Sequence, residues 1–95
     1  MKKGYVIGQI SITNPEKYRE YASNTQDIIE KFGGKYLARG GRFTTKEGIE
    51  YERNVIIEFP SYDEANNFYQ SKEYQNAHDV LEGYAERQHQ TIEGT

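Results

Sequence analysis

The chain has 95 residues, no cysteine and a formal net charge of −3, with 35% apolar and 14% aromatic residues. That length makes one domain, residues 1–95, with a thin core. The acidic balance without any Lys/Arg run argues against nucleic acid as a partner, and the missing thiols exclude disulfides, thiolate metal sites and a cysteine nucleophile.

Nine tyrosines stand among the 95 residues. A tyrosine buries its ring and keeps a polar tip, which suits a half-wet interior or a subunit contact. No apolar run reaches the roughly 18 residues that a membrane-spanning helix needs. Met1-Lys2-Lys3 leads into alternation and not into the apolar centre of a signal peptide, so the expected location is the cytoplasm.

Gly4 to Ile12 alternates with period two. Val6, Gly8, Ile10 and Ile12 share one face, and Tyr5, Ile7, Gln9 and Ser11 share the other. Neither face is charged, which predicts a strand covered on both sides near the middle of a sheet. Asn14-Pro15-Glu16 then combines an N-cap, a proline suited to the first helical turn and an acid at the positive end of the helix. Tyr18, Tyr21, Ala22, Thr25, Ile28, Ile29 and Phe32 recur at helical spacing, and Gly33-Gly34 ends the helix.

A second strand is expected from Lys35 to about Thr45. Arg39-Gly40-Gly41-Arg42 lies inside it. A glycine pair within a strand marks a bulge, a bend or a close approach to the backbone. Flanking arginines add fixed charge with fork-shaped donors. Two readings stand: a small anionic or carbonyl-bearing ligand held at a kink, or a bulge with two solvated arginines. Lys46-Glu47-Gly48 is turn-like, and Glu50 to Phe59 is the third strand, centred on Val55-Ile56-Ile57 and paired with the second as a hairpin.

Ser61 and Glu64 form a capping box for a second helix, whose apolar face is Ala65, Phe68 and Tyr69. Ser71 is a second cap that restarts the helix, followed by a stripe of Tyr74, Ala77, Leu81 and Tyr84 (or Ala85), with Gly83 near its end. Arg87 to Glu93 alternates with weak apolarity, which suggests a strand with an edge position or a wet face. The order βαββαβ gives an α+β, ferredoxin-like fold: a four-stranded antiparallel sheet with two helices on one face. No segment remains to cover the opposite face. A second copy of the chain is the economical cover, which makes a homodimeric α+β barrel.

Several polar residues interrupt otherwise apolar strands: Gln9, Arg39, Arg53, Glu58 and His89. A buried charge is costly unless it is paired or solvated. Arg39, Arg53 and Glu58 therefore read either as a structural ion network or as a ligand-facing cluster in which the arginines hold an anion. Ser61 and Ser71 are explained as caps. The histidines, His78 and His89, are too few and too far apart in sequence for a metal centre, so no metal is expected. A single histidine can serve as a general base or a haem ligand, but a solvated or hydrogen-bonded surface histidine is the commoner case. No nucleotide-binding or nucleophile-elbow motif occurs.

The chain resembles the DUF1330 family of the dimeric α/β-barrel superfamily. Carrying the resemblance are Gly4-Tyr5, Asn14-Pro15 with Tyr18, and the run Gly33 to Gly41. Further on, Val55-Ile56-Ile57-Glu58-Phe59-Pro60-Ser61 and Tyr69-Gln70-Ser71-Lys72-Glu73-Tyr74-Gln75 continue it, so that the likeness spans nearly the whole chain. It implies a dimeric ferredoxin-like barrel and no particular reaction. Its superfamily holds cofactor-free monooxygenases, lactone isomerases, haem enzymes and stress-responsive barrels, among which fold does not set function. The family-typical positions that match here are Arg39, Gly40, Gly41, Glu58, Ser71 and Tyr74.

The expected function is a pocket for a small anionic or carbonyl-containing molecule. Arg39 and Arg53 would hold its charge, with Gly40 and Gly41 at the kink and Ser71 and Tyr74 as hydrogen-bonding partners. Glu58 or His89 would move a proton if a cofactor-free isomerase or monooxygenase reaction occurs. The alternative is a non-enzymatic dimeric sensor or stress-associated module whose polar cluster sets the dimer register.

Overall fold

The computed structural model describes residues 1–95. Its elements are β1 (Gly4–Ile12), α1 (Pro15–Lys31), β2 (Lys35–Arg39), β3 (Arg53–Phe59), α2 (Tyr62–Gln70), α3 (Lys72–Val80) and β4 (Ala85–Glu93). The four strands form one sheet in the order β2-β3-β1-β4, and every neighbouring pair is antiparallel. The uncharged β1 lies inside the sheet and the polar β4 at its edge, as the alternation predicts. No helix is long and apolar enough to cross a membrane.

The helix boundaries follow from their caps. The Asn14 side chain accepts from the Lys17 amide at 3.2 Å, and Ser61 Oγ accepts from the Glu64 amide at 3.1 Å. Ser71 splits the second helix: its Oγ donates to the Phe68 carbonyl at 2.8 Å and accepts from the Tyr74 amide at 3.1 Å. One hydroxyl thus closes α2 and opens α3. All three helices cover one face of the sheet, where Val6, Ile57 and Phe59 pack with Ile29, Ala65, Phe68 and Tyr74. Gly34 permits that packing, because a Cβ there would sit 2.6 Å from the Phe59 ring and 2.8 Å from Ile29.

Three strand boundaries differ from the sequence expectation. β2 ends at Arg39 and not near Thr45, β3 begins at Arg53 and not at Glu50, and β4 begins at Ala85 and not at Arg87, since the helix stops at Val80 and Tyr84 lies in a turn; residues 40–52 form a long irregular connection. Gly40, with φ +66°, takes the chain out of the sheet. The irregularity within the strand lies earlier, where the register against β3 shifts between Tyr36 and Ala38 and leaves Leu37 as the extra residue. Tyr36 therefore stands opposite Ile57 and Arg39 opposite Val55, so both lie on the helix-covered face.

The other face is the open one. Tyr5, Ile56, Glu58 and Ile92 lie on it, and Leu37, Ile56 and Ile92 are 52%, 38% and 54% exposed. Tyr5 donates to Glu58 at 3.2 Å, and Gln9 donates to Asn54 at 3.0 Å across the same face.

Candidate functional site

A cleft lies between the sheet and the helices, about 660 Å³ including the space at its mouth. Gly8 opens its floor. This glycine stands between Val55 on β3 and His89 on β4, and a Cβ there would already meet Val55 at 3.0 Å. The missing side chain leaves a trough between the two neighbours. The roof comes from α1, with Tyr18, Tyr21 and Ala22, and from Phe68 and Tyr74; Tyr36 and Arg39 close the β2 side.

Polar groups are few and placed at the edges of this aromatic space. The hydroxyls of Tyr21 and Tyr74 lie 2.9 Å apart. Burial raises the pKa of both above the usual tyrosine value, so both are neutral phenols. His89 packs edge-on against Tyr69, with ring centres 4.5 Å apart. Burial, then the charges of His78 and Arg87, lowers its pKa to about 4, which keeps the imidazole neutral at physiological pH. Its Nε2 is shielded from solvent and has no hydrogen-bond partner.

Arg87 precedes His89 by two residues and so shares its face of β4. Its Nη2 donates to the His78 carbonyl at 3.0 Å and lies 3.2 Å from His78 Nδ1 and 3.7 Å from the exposed Glu82 carboxylate. Its Nη1 is shielded and unpartnered. Arg39 is exposed at the mouth, where it stacks on the Tyr36 ring at 4.5 Å and donates to Gln26 at 2.9 Å. No aspartate or glutamate lines the cleft, so two guanidinium groups make a positive pocket in a net-acidic chain. His78, Asp79 and Glu82 also offer atoms within 4.8 Å of one another. Arg87 is in contact with two of these three, and its charge opposes a cation there.

Of the residues singled out in the sequence, the fold brings Arg39, Tyr74 and His89 to one cleft. Arg53 stands outside it, with its guanidinium 4.5 Å over the Tyr18 ring. Ser71 is occupied with the helix break and acts on the cleft only by setting where Tyr74 begins its helix. Gly40 and Gly41 are exposed beyond the end of β2, with nothing within 4 Å of an added Cβ. Glu58 is on the opposite sheet face, bonded to Tyr5 and 3.6 Å from Lys35. The cluster expected of Arg39, Arg53 and Glu58 is therefore not formed. Arg53 and Glu58 are an odd number of residues apart on one strand, and alternation sends them to opposite faces. Gly8, Tyr36 and Arg87 line the cleft although no motif in the sequence marks them as site residues. The one signal for Arg87 is its two-residue spacing from His89.

Comparison with known proteins agrees with this architecture. The family model described as "Domain of unknown function (DUF1330)" matches residues 3–95. No curated protein matches the sequence at a significant level. Among solved structures, the protein of unknown function RPA0582 from Rhodopseudomonas palustris superposes with a TM-score of 0.76 at 15% identity, covering 96% of this chain and 81% of its own. A dimeric ferredoxin-like protein of unknown function from Jannaschia sp. CCS1 gives 0.72 at 8% identity, covering 95% and 97%. SnoaB, a cofactor-independent oxygenase from Streptomyces nogalater, gives 0.65 at 10% identity, covering 97% and 92%. At these identities the likeness is one of fold.

Proposed function

The chain belongs to the DUF1330 family, and we propose that it is a homodimeric protein that binds a small anionic or carbonyl-containing organic molecule between its sheet and its helices. The observation that carries this reading is the cleft itself, walled by tyrosine rings, floored at Gly8 and free of acidic side chains. Small-molecule sites combine apolar walls with a few placed polar groups, the pattern of this lining. Arg39, Tyr74 and His89 face the ligand in this reading. Glu58, Lys35 and the exposed Leu37, Ile56 and Ile92 belong to the face that a second copy covers, as the dimeric assembly of the Jannaschia relative suggests.

A cofactor-free reaction in the same cleft is the second reading. One observation favours it: His89 lines the cleft as a neutral imidazole whose Nε2 has no partner within the chain, which suits it to hydrogen-bond a reacting group. SnoaB, which shares the fold, is a cofactor-independent oxygenase.

Native mass spectrometry of untagged protein taken directly from cells tests the binding reading. The expected species is a dimer with a reproducible added mass, absent from Ala22→Phe, whose ring would fill the cleft while the dimer persists. A monomer would overturn the assembly, and an adduct retained in Ala22→Phe would put the ligand elsewhere.

A further inference from the structure

Resting on the reading of the cleft as a ligand site, we propose that Arg87 and the Tyr21–Tyr74 hydroxyl pair form a carboxylate subsite, so that the ligand is a small planar organic acid bound with its acid group inward. The anchor is then Arg87, and not the Arg39 that the sequence brought forward.

Arg87 is held ready for such a partner. The side chain is 17% exposed, and Nη2 is fixed by the His78 carbonyl. A guanidinium is planar, so fixing one nitrogen also fixes the direction of the other. That other nitrogen, Nη1, is buried without an acceptor. Buried donors in folded proteins are nearly always satisfied, and an unpaired one on a residue that lines the cleft calls for an acceptor from outside the chain. The nearest protein carboxylate, on Glu82, is exposed and lies towards Nη2, leaving Nη1 free.

The tyrosine pair supplies a second donor. Two neutral hydroxyls carry two protons, and their mutual bond uses one. The remaining proton has no partner among the hydrogen bonds of the chain. Arg87 lines the same cleft as both tyrosines. One carboxylate oxygen can take the Nη1 proton and the other the free tyrosine proton, a charge-assisted pair that a neutral amide matches poorly. His89 is neutral, so the cationic group in the shielded part of the cleft is Arg87, suited to a single carboxylate. The walls are the rings of Tyr18, Tyr21, Tyr36, Phe68 and Tyr74, which favour a flat, unsaturated body on the acid. Arg39 is exposed and already engaged by Gln26 and Tyr36, which suits a role at the mouth.

Benzoate and its neutral isostere benzamide are the probes, titrated into the isotope-labelled full chain and followed by the amide resonances of Gly8, Tyr74 and His89. Benzoate is expected to shift these resonances with an affinity at least about tenfold above that of benzamide. Arg87→Met removes that preference, Arg87→Lys restores part of it, and Arg39→Ala keeps most of it. Equal affinities for the two probes in the wild-type chain would overturn the carboxylate subsite and leave the cleft reading standing, whether or not any variant folds. The subsite is equally overturned if Arg39→Ala abolishes the preference and Arg87→Met does not. If neither probe moves these resonances at millimolar concentration, the cleft reading falls and the subsite with it.

Discussion

Tyr21 and Tyr74 share a hydrogen bond across 53 residues of sequence, with their hydroxyl oxygens 2.9 Å apart. The bond ties α1 to α3 over the sheet, and the two rings meet nearly edge to face, at 75° and 6.2 Å between centres. The same pair serves the core and borders the cleft.

Removing either hydroxyl strands the other in a buried site. Tyr21→Phe and Tyr74→Phe should each lower stability by about 1–2 kcal/mol. The double variant should lose less than the sum, because the second substitution removes the unpaired group that the first created. Urea unfolding of the four proteins measures the coupling, and strictly additive losses would contradict it.

His89 should make stability fall in mild acid. Its pKa in the folded chain is lowered from 6.5 to about 4, so the unfolded chain takes up a proton first as pH drops. The contribution is complete above about pH 6.5, declines through the window down to about pH 4, and amounts to roughly 3 kcal/mol. Unfolding free energies at pH 7 and at pH 4.5 should differ by about 2 kcal/mol more in the wild-type chain than in His89→Gln, provided both remain folded.

Two glycines that look alike in sequence should respond in opposite ways. An added methyl at Gly34 meets the Phe59 ring and Ile29, whereas one at Gly41 meets nothing within 4 Å. Gly34→Ala should cost about 1–3 kcal/mol through overpacking, and Gly41→Ala should be close to neutral. Thermal melting of both variants decides this, and a large loss at Gly41 would reveal a contact that the single chain lacks.

Ile92 tests the open sheet face. It is 54% exposed and lies opposite Tyr5. Ile92→Lys should weaken self-association by at least about tenfold, since it places a charge where an apolar contact is expected. Sedimentation across a dilution series gives the dissociation constant, and an unchanged value would remove this face from the interface.

Much of the architecture is legible in the sequence because it rests on local signals. Asn14-Pro15, the Ser61 N-cap and the Ser71 restart each satisfy backbone groups within a few residues, and all three form as expected, although the Glu64 carboxylate accepts from Asn67 and does not complete the capping box. The separation of Arg53 from Glu58 is also legible, by counting alternation along one strand. Other features are hidden for a physical reason. A bulge is a property of two strands, and Tyr36-Leu37-Ala38 holds no glycine or proline to mark it. The glycine pair Gly40-Gly41, which does suggest a kink, instead follows the end of β2. The environment of Arg87 is made by His78, nine residues away, and by helices whose packing no local pattern records.

The extra residue at Leu37 gives the edge strand one residue of slack. Lys35, before it, lies with Glu58 on the open face, while Arg39, after it, lies at the cleft. In an unbroken alternation these two cations, four residues apart, would share a face. Deleting Leu37 would leave three steps between them, and regular pleating would then send them to the same opposite faces that they occupy now. The strand can therefore lose that residue without exchanging charge between its two environments. β1 holds regular register with both of its neighbours and has no such tolerance: a deletion at its centre would turn half of its side chains to the wrong side. Length variation in this sheet is cheap beside the cleft mouth and costly at the cleft floor.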